Sequence, residues 1–125
     1  MGNIKSALPS PRIEDGVIKW YFGDEFEIGF QLNLQDADGE PIILNSTDTV
    51  TVSIKRWDKE PIKDFIFNNV ENNFISLEFD SDTTALFSKG QYIYDIIIDG
   101  SFNVTVANDN LIEVEWGDMI WINLV

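Results

Sequence analysis

Twenty-two carboxylates and no histidine or cysteine define the chemistry open to this 125-residue sequence. Without cysteine there is no disulfide, thiolate nucleophile, zinc finger or iron–sulfur site. Without histidine there is no serine–histidine triad and no imidazole acid–base catalyst. Carboxylates alone leave two options, binding of hard cations and two-carboxylate glycoside hydrolysis. The best cation candidate is Asp36-Ala37-Asp38-Gly39. A helix–loop–helix calcium loop needs a third oxygen ligand before its glycine and a glutamate at position twelve. Here the glycine comes fourth and position twelve is Thr47, so the fit fails. Residues that tolerate a left-handed backbone explain the same letters as a turn. For glycoside hydrolysis, the acids are too numerous for any close pair to be diagnostic, and no long loop is available to build a pocket. The expectation is a non-enzymatic chain with no cofactor and no metal.

Charge narrows the partners. Eight basic residues against 22 acidic ones give a net charge of -14. That charge repels phosphate backbones and anionic lipid, so neither nucleic acid nor a membrane surface is an expected partner. No apolar run has the length of a signal peptide or a transmembrane helix. Gly2 with Ser6 matches a myristoylation pattern, and Asn45 and Asn103 start N-x-T sequons, but each match is short.

The aromatics Trp20, Tyr21, Phe22, Trp57, Trp116 and Trp121 form a second group of candidates. Three consecutive aromatics at 20–22 must point to both faces of a strand, so one face needs cover beyond a simple core. The final segment is also apolar on both faces, with Met119, Trp121 and Val125 against Ile120, Ile122 and Leu124. A strand apolar on both faces is either central or covered by a partner. Trp20, Phe22, Trp116, Met119 and Trp121 are therefore candidate interface residues, with residues 115–125 as an interface strand and a homo-oligomer as one outcome. The alternatives are an internal layer within one chain and a platform on which sugars stack.

The elements that would position these groups follow a period of two. Phe26, Ile28, Phe30, Leu32 and Leu34 alternate with polar residues, as in a half-buried antiparallel strand. Asp38-Gly39 and Asp99-Gly100 signal hairpins, and Asn108-Asp109-Asn110 reads as a third turn. Further alternation runs through Val50–Ile54, Ile75–Phe79, Tyr92–Ile98 and Phe102–Val106, with a short apolar run over Ile62–Phe67. Residues 82–88 read as one helical turn, capped by Asp80 or Asp82 and closed by Gly90. Residues 1–16 read as a flexible arm and 17–125 as one domain. About eight to ten short strands with frequent turns predict an all-β antiparallel sandwich or barrel.

One stretch is more specific. Asp82-Thr83, Leu86 and Gly90-Gln91-Tyr92-Ile93-Tyr94-Asp95 match the corner before the sixth strand of an immunoglobulin-like sandwich. In that reading Leu86 plugs the core, Gly90 closes the turn, and the Tyr92 hydroxyl returns to the corner backbone. Tyr94 stands where antibody domains carry their second cysteine.

Gly23-Asp24-Glu25-Phe26, Asp38-Gly39-Glu40-Pro41 and the Gly90–Asp95 stretch, in that order, resemble the immunoglobulin-like N-terminal domain of tailed-phage baseplate upper proteins. The resemblance covers residues 17 to 114. The chain departs from the pattern in its Trp-rich end and in lacking a following receptor-binding region. The resemblance implies a structural or assembly module of a phage or prophage particle, associated with tail or baseplate, that contacts other virion subunits. It implies location in the virion, or in the bacterial cytoplasm during assembly. The competing reading is a carbohydrate- or protein-binding sandwich of a bacterial surface protein.

Overall fold

The computed structural model describes residues 10–101 and 103–115. Eight strands and one helical turn follow in chain order. They are β1 (Arg12–Glu14), β2 (Val17–Tyr21), β3 (Phe26–Gln31), β4 (Thr49–Arg56), β5 (Pro61–Asn68), β6 (Phe74–Phe79), α1 (Ser81–Thr84), β7 (Gly90–Asp99) and β8 (Val104–Glu115). One sheet has the order β1-β2-β8-β7-β4-β5, and β3 pairs with β6 in a second. All pairings are antiparallel except β2 with β8, which run parallel. The architecture is all-β and sandwich-like.

The alternation read from the sequence is what closes the core. Val50, Val52 and Ile54 of β4 face inward beside Tyr92, Tyr94, Ile96 and Ile98 of β7. Ile75, Leu77 and Phe79 of β6 meet them from the opposite sheet. Phe79 stacks on Phe26 at 4.7 Å and meets Trp20 at 5.0 Å and Phe65 at 5.2 Å. The contacts of Phe79 with Trp20 and Phe65 join the two sheets directly. Ring pairs at such distances add about 0.5–1.5 kcal/mol each beyond burial.

The corner before β7 is tied as its residues suggest. Asp80 caps α1, its Oδ1 accepting the Thr83 N–H at 2.8 Å. The Tyr92 hydroxyl donates to the Ser88 carbonyl at 3.0 Å and accepts the Ser88 N–H at 2.9 Å. Gly90 has φ +146° with open space around its Cβ position, so backbone conformation rather than room selects glycine. The plug, however, is Phe87 and not Leu86. Phe87 is buried against Trp20, Phe79 and Tyr92, whereas Leu86 is 47% exposed. A helix of four residues is too short for its periodicity to fix which neighbour faces in.

Three further expectations change. The arm of residues 1–16 includes β1, whose Arg12 pairs in register with Lys19. Residues 1–9 lie outside the described residues. The β3 ladder stops at Gln31 although alternation continues. Leu32 stays buried and its N–H bonds to the Asn73 carbonyl, and beyond it Gln35 makes only an isolated bridge to Pro41. Residues 108–110 do not reverse the chain. β8 runs through them with register shifts against Tyr94, Ile96 and Ile97, and Asp109 takes φ +52°. The left-handed tolerance of Asn and Asp serves a bulge here rather than a turn.

Two buried polar side chains hold the loops. The Asn73 amide accepts the Leu44 N–H at 2.9 Å and donates to the Ile42 carbonyl at 2.6 Å. Asp48 accepts from Asn45 N–H and from both the N–H and hydroxyl of Ser101. The Asn45 N–H first, and the Ser101 donors after it, hold the Asp48 carboxyl below its ordinary range. Gly100 permits this approach, because a Cβ there would lie 2.6 Å from Asp48 Oδ1 and from the Thr47 carbonyl.

Candidate interaction surface

The aromatics proposed for an interface separate into different environments. Trp20 is fully buried, packed on Phe26, Phe79 and Phe87, which corrects its assignment as an interface residue. Its inward position follows from β2 parity, since Ile18 and Trp20 share the core face. Tyr21 points the other way and is covered by Arg12, whose guanidinium lies 5.6 Å from the ring centre. The second aromatic face is thus covered from within the chain. Phe22 is 46% exposed, and its N–H bonds to the Glu115 carbonyl at 2.6 Å. Trp116, Met119 and Trp121 lie outside the described residues. The Asp36 turn closes on itself, with Asp36 Oδ1 accepting the Asp38 and Glu40 N–H groups at 2.9 and 3.0 Å. Asp36 is thereby used as a turn acceptor.

The outer face of the six-stranded sheet brings together groups that the sequence keeps far apart. Ile66, Thr51, Ile97 and Thr105 stand side by side across β5, β4, β7 and β8. Ile66 is 62% and Ile97 42% exposed. A second row holds Lys55, Ile93 and Leu111. Beside it a groove of about 320 Å³ is lined by Trp57, Lys59, Ile93, Asp109 and Leu111. Trp57 rises from the β4–β5 turn and is 62% exposed. Among the aromatics of the sequence Trp57 stands without an assigned role. The signal available was a tryptophan inside the polar run Arg56-Trp57-Asp58-Lys59-Glu60, where core packing gives no reason for it.

A charged lock fixes this face. Asp95 is buried between the rows, and its Oδ2 accepts from Lys55 Nζ at 2.6 Å. Its Oδ1 accepts the Asp109 N–H at 2.7 Å. That N–H belongs to the bulge in β8, so the carboxylate satisfies a donor that the ladder leaves over. Burial pushes the Asp95 carboxyl up, but the Asp109 N–H and the Lys55 ammonium outweigh it and hold it below the ordinary aspartate range. The same contact raises Lys55. Lys59 Nζ meets Asp109 Oδ1 at 2.8 Å beside the groove. Toward the other edge Lys19 lies 3.8 Å from Glu113, and Arg12 meets Glu115 at 2.7 Å.

Every ion pair among the described residues lies on this sheet or its β4–β5 turn. The two-stranded sheet is the opposite case. β3 and β6 contain no Lys or Arg, and Glu27 stands directly across from Glu78. The chain matches no family model, no curated protein and no solved structure.

Proposed function

We propose that the chain is a non-enzymatic structural or assembly module of a phage or prophage particle, associated with tail or baseplate, that works through protein–protein contacts. The observation that carries the contact role is the outer sheet face, where exposed Trp57, Ile66, Ile97 and Leu111 stand among paired charges. Exposed aromatic and branched apolar groups with compensated charges are the composition of a protein contact surface. The phage context rests on the motif resemblance. An immunoglobulin-like topology is part of the same proposal. It is supported by the order β2-β8-β7-β4-β5 over β3-β6, and by the Tyr92 corner. The chain's large negative charge favours solubility before assembly and steers docking toward basic subunits.

The test is particle composition. Particles induced from the bacterium carrying this sequence are banded on a density gradient and analysed by mass spectrometry. The chain is expected in the particle band at a fixed ratio to tail subunits. Its absence from particles would overturn the phage assignment.

A second reading, a carbohydrate- or protein-binding module of a bacterial surface protein, is favoured by one feature. The exposed Trp57 ring borders a groove that also offers Lys59 and Asp109. Glycan titration followed by tryptophan fluorescence, with Trp57→Ala as control, separates the two readings.

A further inference from the structure

We infer that the free edge of β3 takes up an extended segment of a partner protein as a third strand of its sheet, apolar at alternate positions and basic between them. This rests on reading the chain as an assembly module acting by protein contacts, and it names one contact apart from the outer face of the six-stranded sheet.

The backbone of β3 is half used. Among the described residues it pairs with β6 alone. The Leu32 N–H crosses to the Asn73 carbonyl on the β6 side. Alternate residues of an antiparallel strand face the same neighbour, so Phe26, Ile28 and Phe30 bond to β6. Glu27, Gly29 and Gln31 turn their N–H and C=O groups to the opposite side, where no strand lies among the described residues. Such an edge is a template for another strand, and folds blunt it with proline, lysine, a bulge or brevity. The six-stranded sheet does so, since β5 begins with Pro61 and β1 has three residues. β3 does not. Its six residues lack proline and lysine, and their register with β6 is unbroken.

Packing shows the same gap. Ile13 is the cross-strand neighbour of Ile18, so both face the second sheet. Ile18 is buried, yet Ile13 is 73% exposed, because two strands do not reach across β1. What remains is a groove of about 340 Å³, lined by Pro11, Ile13 and Ile18 from one sheet and by Glu27, Ile28 and Gly29 from the other. A strand added about 4.8 Å beyond β3, on the side away from β6, lies over this groove. Every second side chain of that strand points into it, which calls for apolar residues there. The free edge of β6 differs. Beside it Phe65 packs on Phe79 at 5.2 Å and lies under Lys63, so the apolar face is already covered.

Charge sets the residues between. On the outer side of the two-stranded sheet Glu27 stands directly across from Glu78, and neither strand holds Lys or Arg. Like charges directly opposite weaken a sheet, and opposite charges strengthen it. A lysine or arginine on the added strand beside Glu27 answers this acidic row. A second copy is opposed, because each copy carries -14.

The experiment is titration of the isotope-labelled full chain with a peptide of strictly alternating lysine and valine, about seven residues long to match β3, followed by amide hydrogen exchange. In the free chain the Glu27, Gly29 and Gln31 N–H groups should exchange freely, and saturating peptide should slow them at least tenfold. Main-chain bonds supply the affinity of such pairing, so methylating either the valine or the lysine N–H groups, whichever set faces β3, should weaken binding at least tenfold. Glutamate in place of every lysine should weaken it as much, and Ile13→Ser and Glu27→Lys at least threefold each, with thermal melts confirming that both variants fold. Several results overturn the proposal. One is a peptide that does not bind at millimolar concentration, or that binds and leaves these three amides exchanging freely. Another is equal binding of the glutamate peptide. A third is protection already present in the free chain, which at a mass of 14.3 kDa means that the chain covers its own edge and at twice that mass means that a second copy does. Any of these with the chain present in particles overturns this inference alone, whereas peptide pairing at β3 by a chain absent from particles overturns the phage assignment alone.

Discussion

Replacing Tyr92 by Phe removes one oxygen from the corner and leaves the core packing in place. The ring is buried, edge-on to Phe87 at 5.1 Å, and a phenylalanine ring fills the same space. What disappears is a pair of bonds to one residue, donation to the Ser88 carbonyl and acceptance from the Ser88 N–H. Each is worth about 1 kcal/mol net, so the expected loss is about 2 kcal/mol. Unfolding entropy of about 2.1 cal/mol/K per residue gives roughly 0.26 kcal/mol/K for a chain of this length. The corresponding drop in Tm is about 8 °C. The assay is thermal unfolding followed by circular dichroism at neutral pH. Ser88→Ala serves as control, since it removes only the 3.3 Å hydroxyl contact and keeps both backbone partners. It should melt within about 2 °C of wild type, as exposed-side losses of this kind are small. A Tyr92→Phe protein that melts with wild type, or no lower than Ser88→Ala, would refute the view that the hydroxyl ties the corner.

Other expectations follow from the same contacts. Trp20→Ala should cost about 3–5 kcal/mol because the side chain is fully buried, while Trp57→Ala should leave urea midpoints of the monomer nearly unchanged. Asn73→Gly should be less damaging than Asn73→Ala in urea titration, because both lose the amide bonds to Leu44 and Ile42 but only glycine accepts φ +56° freely. Asp95→Asn should destabilise by about 2–3 kcal/mol at neutral pH, since it weakens charged bonds to Lys55 and the Asp109 N–H. Folding lowers the Asp95 pKa, so its contribution is complete above the unfolded value and is lost as pH falls through the folded one. The gap in Tm between wild type and Asp95→Asn should therefore narrow as pH drops below about 4. A gap independent of pH would show that Asp95 acts by shape alone.

The sequence made faces legible more readily than partners. Alternation at Val50–Ile54 and Tyr92–Ile98 located the core face of β4 and β7, because burial writes period two directly into residue type. The same signal overran at Leu32, which is buried without belonging to a ladder, since burial does not require a hydrogen-bonded neighbour. Asn108-Asp109-Asn110 announced a positive φ, but a bulge and a turn use that conformation alike. β1 was hidden because three residues, Arg12–Glu14, are too few to show any period. The outer face was the least readable part. Trp57, Ile93 and Leu111 are brought together only by the register of β4, β7 and β8, and no local pattern encodes that register. Trp20 and Trp57 look equally available as letters, yet strand parity buries one and a turn exposes the other.

The absence of cysteine lets a single engineered one carry a unique spin label. Thr51→Cys places it at the middle of the outer face of the six-stranded sheet, and Ser76→Cys on the outer face of β6. Comparing the mobility of each label in the free chain and in purified particles tests most directly whether the outer face is the contact. The Thr51 label should be immobilised in the particle, as a side chain in the packed core of a contact is, while the Ser76 label keeps the mobility it has in the free chain. A Thr51 label as mobile in the particle as in the free chain, or a Ser76 label immobilised in its place, would contradict the account.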